Sequence, residues 1–172
     1  MLKIIGGEGL IKNVDKFLEE ITCYAEQHNI VIQVFNADLI FNKNHLTSAV
    51  EHAFRAIDRK TNTTNSAEME ILLYASGERQ LKLAIPKMGI QKGEGKIAIV
   101  FTNHGERNGK ITDHLVDELT EMLSLKRDDK VLKGDKNTLK RFGLSDQEIN
   151  TVSESKYEDL ILEKIAMVDI IK

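Results

Sequence analysis

Apolar residues recur along the chain in two patterns, one typical of helices and one typical of buried strands. Apolar spacings of three and four predict helices over residues 14–28, 44–60, 68–75, 78–88 and 115–123. Short β-branched runs predict strands over residues 2–5, 30–35 and 97–101. The chain is therefore predicted to form one α/β (α+β) domain over residues 1–172, helix-rich and with a small mixed β-sheet. The strands are too few for a doubly wound nucleotide-binding fold.

Polar and glycine-rich stretches separate these predicted helices and strands. Gly6-Gly7 is predicted to end the first strand, and residues 91–96 to form a turn. Ser145 and Glu148 match a capping box and predict the start of a short helix. The stretch 126–141 has poor periodicity and is predicted to be an exposed connection.

The C-terminal segment, residues 157–171, is apolar at ten of its fifteen positions. A helix that packs on one side needs only a stripe of about 100°, and these residues extend well around it. The segment is therefore either enclosed in the core or offered to a partner. Its terminal position favours a partner for its last turn. The predicted partner-docking residues of this C-terminal helix are Ile161, Ile165, Met167, Val168, Ile170 and Ile171.

Composition excludes several classes of protein. The net charge of −3 argues against a protein that is basic over its whole surface. The single cysteine, Cys23, excludes a disulfide framework or a multi-cysteine metal site within the chain, and its place near an apolar stripe predicts a buried side chain. No signal-peptide or membrane-spanning run is present in the sequence, so a cytoplasmic location is expected.

The charge is unevenly distributed. Residues 55–96 carry eight basic and five acidic side chains, a net charge of +3, which leaves −6 for the remainder. Arg55 and Arg59 share one helix face, as do Arg79 and Lys82. Two adjacent basic helices would form a groove for a phosphate backbone, although charge alone favours a solvated surface. A second basic stretch, residues 126–141, has a net charge of +4 and less regular spacing.

Patterns that carry catalytic chemistry are absent. No phosphate-binding loop motif surrounds Gly95-Lys96 or Gly109-Lys110, and Gly93–Lys96 is better explained as a strand-to-strand turn. The five histidines form no metal-binding pattern. His104 follows a predicted strand, a common place for catalytic residues, and this leaves a small enzyme as an alternative.

The segment from Ser66 to Ile90 resembles a known family. It carries a glutamate before an Ile-Leu pair, a Ser76-Gly77-Glu78-Arg79-Gln80 turn, an Ala84-Ile85 pair and a closing Gly89-Ile90. These features are similar to the smallest accessory subunit of the KEOPS complex, archaeal type. That TPRKB-like family binds the PRPK-type kinase-like ATPase. The resemblance covers most of residues 30–102 well and the C-terminal third loosely.

The resemblance implies a non-catalytic subunit of a complex that makes threonylcarbamoyladenosine in tRNA. Such a subunit docks on the small lobe of the kinase-like ATPase, activates it, and helps hold the 3′ CCA end of tRNA. No cofactor, metal, membrane or small-molecule substrate of its own is expected. Together with the charge pattern, it implies the RNA-binding residues Arg55, Arg59, Lys60, Tyr74, Arg79, Lys82, Ile85, Lys87 and Lys92. A structural adaptor without RNA contact remains a further alternative.

Overall fold

A computed structural model describes residues 1–172, which form eight α-helices and four strands. In chain order these are β1 (Leu2–Ile11), α1 (Val14–Gln27), β2 (Val31–Asn36), α2 (Lys43–Asp58), α3 (Ala67–Ser76), α4 (Leu81–Met88), β3 (Gly93–Thr102), α5 (Asp113–Met122), β4 (Lys126–Arg127), α6 (Lys136–Phe142), α7 (Asp146–Ile149) and α8 (Tyr157–Ile171). Short 3₁₀ turns cover Ala37–Leu39, Asp129–Leu132 and Glu154–Lys156. None of the helices is both long enough and apolar enough to span a lipid bilayer.

The strands form one sheet in the order β2-β3-β1-β4. The central pair, β1 and β3, runs in register from Leu2 opposite Thr102 to Ile11 opposite Gly93. The predicted helix-rich α+β class is confirmed. The sheet is antiparallel at every pairing rather than mixed. Strands β1 and β2 run in one direction and β3 and β4 in the other, and the order β2-β3-β1-β4 places strands of opposite direction side by side.

Strand β1 is longer than the sequence predicts because Gly6 and Gly7 lie inside it. A Cβ at Gly6 would stand 2.5 Å from a methyl group of Val131 and 2.8 Å from the carbonyl oxygen of Asp128. These glycines therefore let residues 126–132 approach the strand closely, and they do not end it. The stretch 91–96, expected to be a turn, is likewise strand from Gly93 onward.

The sheet is covered on both faces, so two hydrophobic cores lie on either side of it. Helices α1 and α5 cover one face, over Ile5, Ile32 and Ile99. Helices α2, α3, α4, α6 and α8 cover the other, over Ile4 and Val100. A sheet buried on both faces requires apolar residues at consecutive positions, which explains why the strands read as continuous apolar runs.

Helix α3 is the centre of the larger core. Every residue from Glu70 to Ser76 is buried, because α3 packs against α2, α4, α8 and strand β2. Ser66 caps its first turn, and Gly77 ends it with φ of 68°, the left-handed conformation that glycine adopts without strain.

Two local predictions are wrong. The stretch 126–141 is not an exposed connection, since it contains β4 and α6, and Leu139 is fully buried. A helix of seven residues is too short to show a clear period. Cys23 is exposed, because the buried stripe of α1 runs through Ile21, Tyr24 and Ala25 and leaves position 23 outside.

A buried histidine joins α2 to α3. His45 is fully buried, its Nε2 donates to the carbonyl oxygen of Ala75 at 2.8 Å, and its Nδ1 accepts from the amide of Phe41 at 3.2 Å. Both ring nitrogens are thus satisfied in the neutral form. Burial, with a smaller contribution from the charge of Lys87, lowers the pKa of His45 to about 4, although the bond to Ala75 acts in the opposite direction.

We predict that His45 makes stability depend on pH between 4 and 6.5. The unfolded chain protonates this histidine below its ordinary pKa of 6.5, whereas the folded chain does so only near 4. Its contribution is complete above pH 6.5 and is lost as the pH falls, at about 1.4 kcal/mol per pH unit and about 3 kcal/mol in all. Urea unfolding of wild type and His45→Gln at pH 7, 6 and 5 measures this. If the free energy of unfolding changed with pH equally in the two proteins, the assignment would be contradicted.

Candidate functional site

The basic residues predicted to bind RNA lie on the surface in two separate places. Six of them are exposed and make no intramolecular ion pair: Arg55, Arg59, Lys60, Arg79, Lys82 and Lys92. Helix α3 packs against both α2 and α4 and lies between them. The predicted groove between two neighbouring basic helices therefore does not form.

The direction of the helices sets how far apart these groups lie. The contact of His45 with Ala75 places the start of α2 beside the end of α3. Arg55 and Arg59 at the end of α2 are therefore at the opposite end of the α2–α3 pair from Arg79. At a rise of 1.5 Å per residue the separation along α2 is about 20 Å.

Two of the predicted RNA-binding residues are held inside the molecule. Tyr74 is fully buried, because α3 has no solvent-facing side, so its ring is not available to stack a base. Lys87 is partly buried, donates to the carbonyl oxygen of Ser76 at 2.7 Å and to Glu78 at 3.0 Å, and its ammonium lies 4.0 Å from the centre of the Phe142 ring. Lys87 therefore joins α4 to α3 and α6. Ile85 is 47% exposed on α4, close in sequence to Lys82.

The predicted partner residues of α8 divide into two sets. Ile161, Ile165 and Val168 are fully buried in the larger core, which corrects their assignment to a partner surface. Ile170, in contrast, is 74% exposed, the largest value of any large hydrophobic residue in the chain. Met167 and Ile171, on the same last turns, are 40% and 42% exposed.

A polar network holds the last turn of α8 against α2 and α3. Asp169 accepts hydrogen bonds from the Tyr74 hydroxyl and, at 2.7 Å, from Nδ1 of His52. Burial acts to raise the pKa of Asp169, but the two hydrogen bonds, together with the nearby charge of Lys172, lower the pKa overall. Burial and the bond to Asp169 raise the pKa of Tyr74 well above its ordinary value.

A buried ion pair completes this network. The ammonium of Lys172 lies 2.8 Å from Oε1 of Glu70, and their side chains are 5% and 0% exposed. Glu70 also accepts from the amide of Thr64 at 3.0 Å and from its hydroxyl at 2.8 Å. Sequence reasoning missed this pair. Its one signal is Glu70 itself, a carboxylate directly before a run of apolar residues on α3.

His104 is part of a clamp over the end of α2. Its Nε2 lies 3.0 Å from Asp58, and its ring stacks on Phe54 with centres 4.2 Å apart. In the same loop, Arg107 pairs with Glu68 at the start of α3. A carboxylate is thus in reach of His104, but none of the five principal cavities is lined by this histidine. The contacts fit a structural clamp better than an active site.

Comparison with protein-family profiles places the chain in a known family. The profile of the family described as kinase binding protein CGI-121 matches residues 10–169. The match takes in helices α1 to α7, strands β2 to β4 and all but the last two residues of α8, but only the last two residues of β1. No curated protein matches the chain.

We predict that Lys172→Met destabilises the protein by up to about 3 kcal/mol, because it leaves the Glu70 carboxylate buried without a cation. This is the low end of the range for removing one partner of a buried ion pair, since the end of α8 can detach and let water reach Glu70. The double variant Glu70→Gln/Lys172→Met removes both charges and should recover at least half of that loss. Urea unfolding measures the differences.

A surface pair provides the control for this prediction. Lys156 pairs with Asp159 at 3.4 Å, and both side chains are more than half exposed. Lys156→Met should therefore change stability by less than about 0.5 kcal/mol. A loss for Lys172→Met no larger than this would show that the buried pair contributes nothing.

Proposed function

This chain belongs to the CGI-121 family of kinase-binding proteins, and from that premise we propose that it is the smallest, non-catalytic subunit of a KEOPS-type complex, of archaeal type. In this role it acts in the cytoplasm on the modification of tRNA to threonylcarbamoyladenosine. It binds and activates the PRPK-type kinase-like ATPase and helps to recruit tRNA through the 3′ CCA end. Other subunits perform the chemistry.

The exposed apolar tip of α8, formed by Met167, Ile170 and Ile171, is the observation that carries the kinase-binding proposal. A largely exposed isoleucine at the end of a helix can insert into an apolar pocket of a partner protein. The buried part of α8 and the network around Asp169 fix the direction of this tip. The tip is therefore ordered before it binds, which reduces the entropy lost on association.

The tRNA proposal is supported best at α4. Lys82 there lies next to two exposed apolar side chains, Leu83 and Ile85, which are 48% and 47% exposed. Unpaired nucleotides need a cation for the phosphate and an apolar surface for the base. We assign Arg79, Lys82 and Ile85 to the unpaired 3′ end. Arg55, Arg59 and Lys60 then serve as a more distant phosphate contact. Lys92 follows α4 at the other end of β3 from these three and is assigned to the backbone next to the 3′ end, and Tyr74 has no stacking role.

We predict that Ile170→Asp weakens binding of the kinase-like ATPase at least about tenfold, because a charge at the centre of an apolar contact must be desolvated without a partner. Leu18→Asp, on an exposed apolar residue of α1, should leave binding unchanged. Calorimetric titration of the purified proteins measures both, with and without tRNA. Equal binding by wild type and Ile170→Asp would place the kinase elsewhere on the molecule.

A second prediction concerns tRNA. Arg79→Glu should weaken binding of full-length tRNA and lower the slope of log affinity against log salt by about 1, the loss of one phosphate contact. Arg59→Glu should have a smaller effect, and Lys16→Glu on α1 none. Filter binding over a salt series measures these changes.

The same titration tests the role of the 3′ end. Wild type should prefer tRNA with an intact CCA end to tRNA that lacks it, and Arg79→Glu should lose the preference. A wild-type protein that binds neither RNA would leave the structural adaptor as the better explanation.

A further inference from the structure

The outer edge of β1 is only partly paired. Strand β4 covers it at Gly7 and Glu8 alone. The residues after β4 satisfy the peptide groups of one more residue, Gly6. Its carbonyl oxygen accepts from the amide of Asp128 at 2.9 Å, and its amide donates to the Asp129 carboxylate at 3.0 Å. The peptide groups of Gly6 therefore point away from β3.

The alternation of peptide directions along a strand implies that the peptide groups of Leu2 and Ile4 also point away from β3. In an antiparallel pair, every second residue directs both its N–H and its C=O away from the neighbouring strand. Leu2 and Ile4 stand two and four residues from Gly6, so their peptide groups point to the same open edge. No side chain or loop hydrogen-bonds to them there. These outward peptide groups are therefore available to pair with an added strand.

A groove lies along this open edge. It has a volume of about 350 Å³, and residues 2–5 of β1 form its floor. Lys43 and Thr47 of α2 form one wall, and Asp113 and Val116 of α5 form the other. Four strand residues span about 13 Å, which is room for a short extended segment lying end to end with β4.

The charge of the groove selects its occupant. Its lining carries Lys3, Lys43 and Arg127 against a single carboxylate, Asp113. Lys3 pairs with Asp113, which leaves Lys43 and Arg127 as the net positive charge of the lining. Lys43 and Arg127 contact Asp129, and Arg127 also lies 3.5 Å from Asp117. Their side chains remain 50% and 48% exposed, and each has N–H donors that these contacts do not use. An acidic segment is favoured. A second copy of this chain is disfavoured, because pairing two β1 edges would bring Lys3 and Lys43 of both copies together.

We propose that the open edge of β1 over residues 2–5 binds an extended, acidic peptide segment of a partner protein as an additional strand. Main-chain hydrogen bonds to Leu2 and Ile4 supply the affinity, and Lys43 and Arg127 select acidic side chains. The site uses none of the residues assigned above to the kinase or to tRNA.

The test uses the full chain and a capped, fluorescently labelled heptapeptide of sequence Thr-Val-Asp-Val-Asp-Val-Thr. We expect saturable binding by anisotropy below about 1 mM and slower amide exchange at Ile4. The same peptide with alternate amides methylated loses its donors and should not bind. The version with lysine in place of aspartate should bind at least about tenfold more weakly.

Two variants locate the site. Leu2→Pro removes one outward donor at the first residue of the strand, where proline is tolerated, and should weaken the peptide about two- to tenfold. Lys43→Gln should weaken the aspartate peptide and not a neutral serine version, whereas Lys16→Gln on α1 should change neither.

Three results would overturn the proposal. The first is that the aspartate peptide does not bind at concentrations up to about 1 mM. The second is that the methylated peptide binds as tightly as the unmethylated one. The third is that the protein forms a dimer without peptide and that this dimer protects the Ile4 amide from exchange. The last would identify a second copy of the chain as the occupant.

Discussion

Helix α3 has no side that faces water, and this constraint determines how the larger half of the molecule is built. Each polar group that α3 carries into the core must find a partner on a neighbouring element. The carbonyl of Ala75 accepts from His45 on α2, that of Ser76 accepts from Lys87 on α4, and Glu70 pairs with Lys172 at the end of α8. The polar contacts of one buried helix thus fix the positions of three others.

Because α3 occupies the centre of the helical layer, the residues proposed to bind tRNA and the kinase lie at the edges of that layer. Because α3 lies between α2 and α4, the cations on those two helices cannot form a single groove. Because the inner face of α8 is needed to cover α3, only its last turns keep apolar side chains for a partner. The tip that carries Ile170 and the buried pair of Lys172 with Glu70 lie on the same turn of α8, so the surface offered to the kinase and the stability of the core are coupled.

The sequence predicts the elements whose signals are local. Apolar spacing is enough to find α1 and α2, apolar content is enough to find α3 and α8, and the apolar run 97–101 is enough to find the core of β3. The misses need information from distant parts of the chain. Whether Gly6 ends a strand or lets another segment approach depends on Val131, and α6 is recognisable only once Leu139 has a core to enter.

The candidate site divides in the same way. The exposed charges and the apolar character of α8 can be read from composition and spacing. Which side chains are accessible cannot, because Tyr74 and Ile165 have the same local signal whether a neighbour covers them or not. The clearest missed clue was Glu70, since a carboxylate that enters a buried helix requires a partner somewhere in the fold.

The pairing of Leu2 with Thr102 has a consequence for synthesis of the chain. Strand β1 emerges from the ribosome first, but its principal partner β3 follows about 90 residues later, roughly 5–20 s at ordinary rates of translation. During that interval β1 has two unpaired edges, a condition in which apolar strands aggregate. Gly6, Gly7 and Gly9 interrupt its apolar character and lower its tendency to form intermolecular strands. The glycines that admit residues 126–132 to the finished sheet thus also protect the nascent chain while β1 waits for β3.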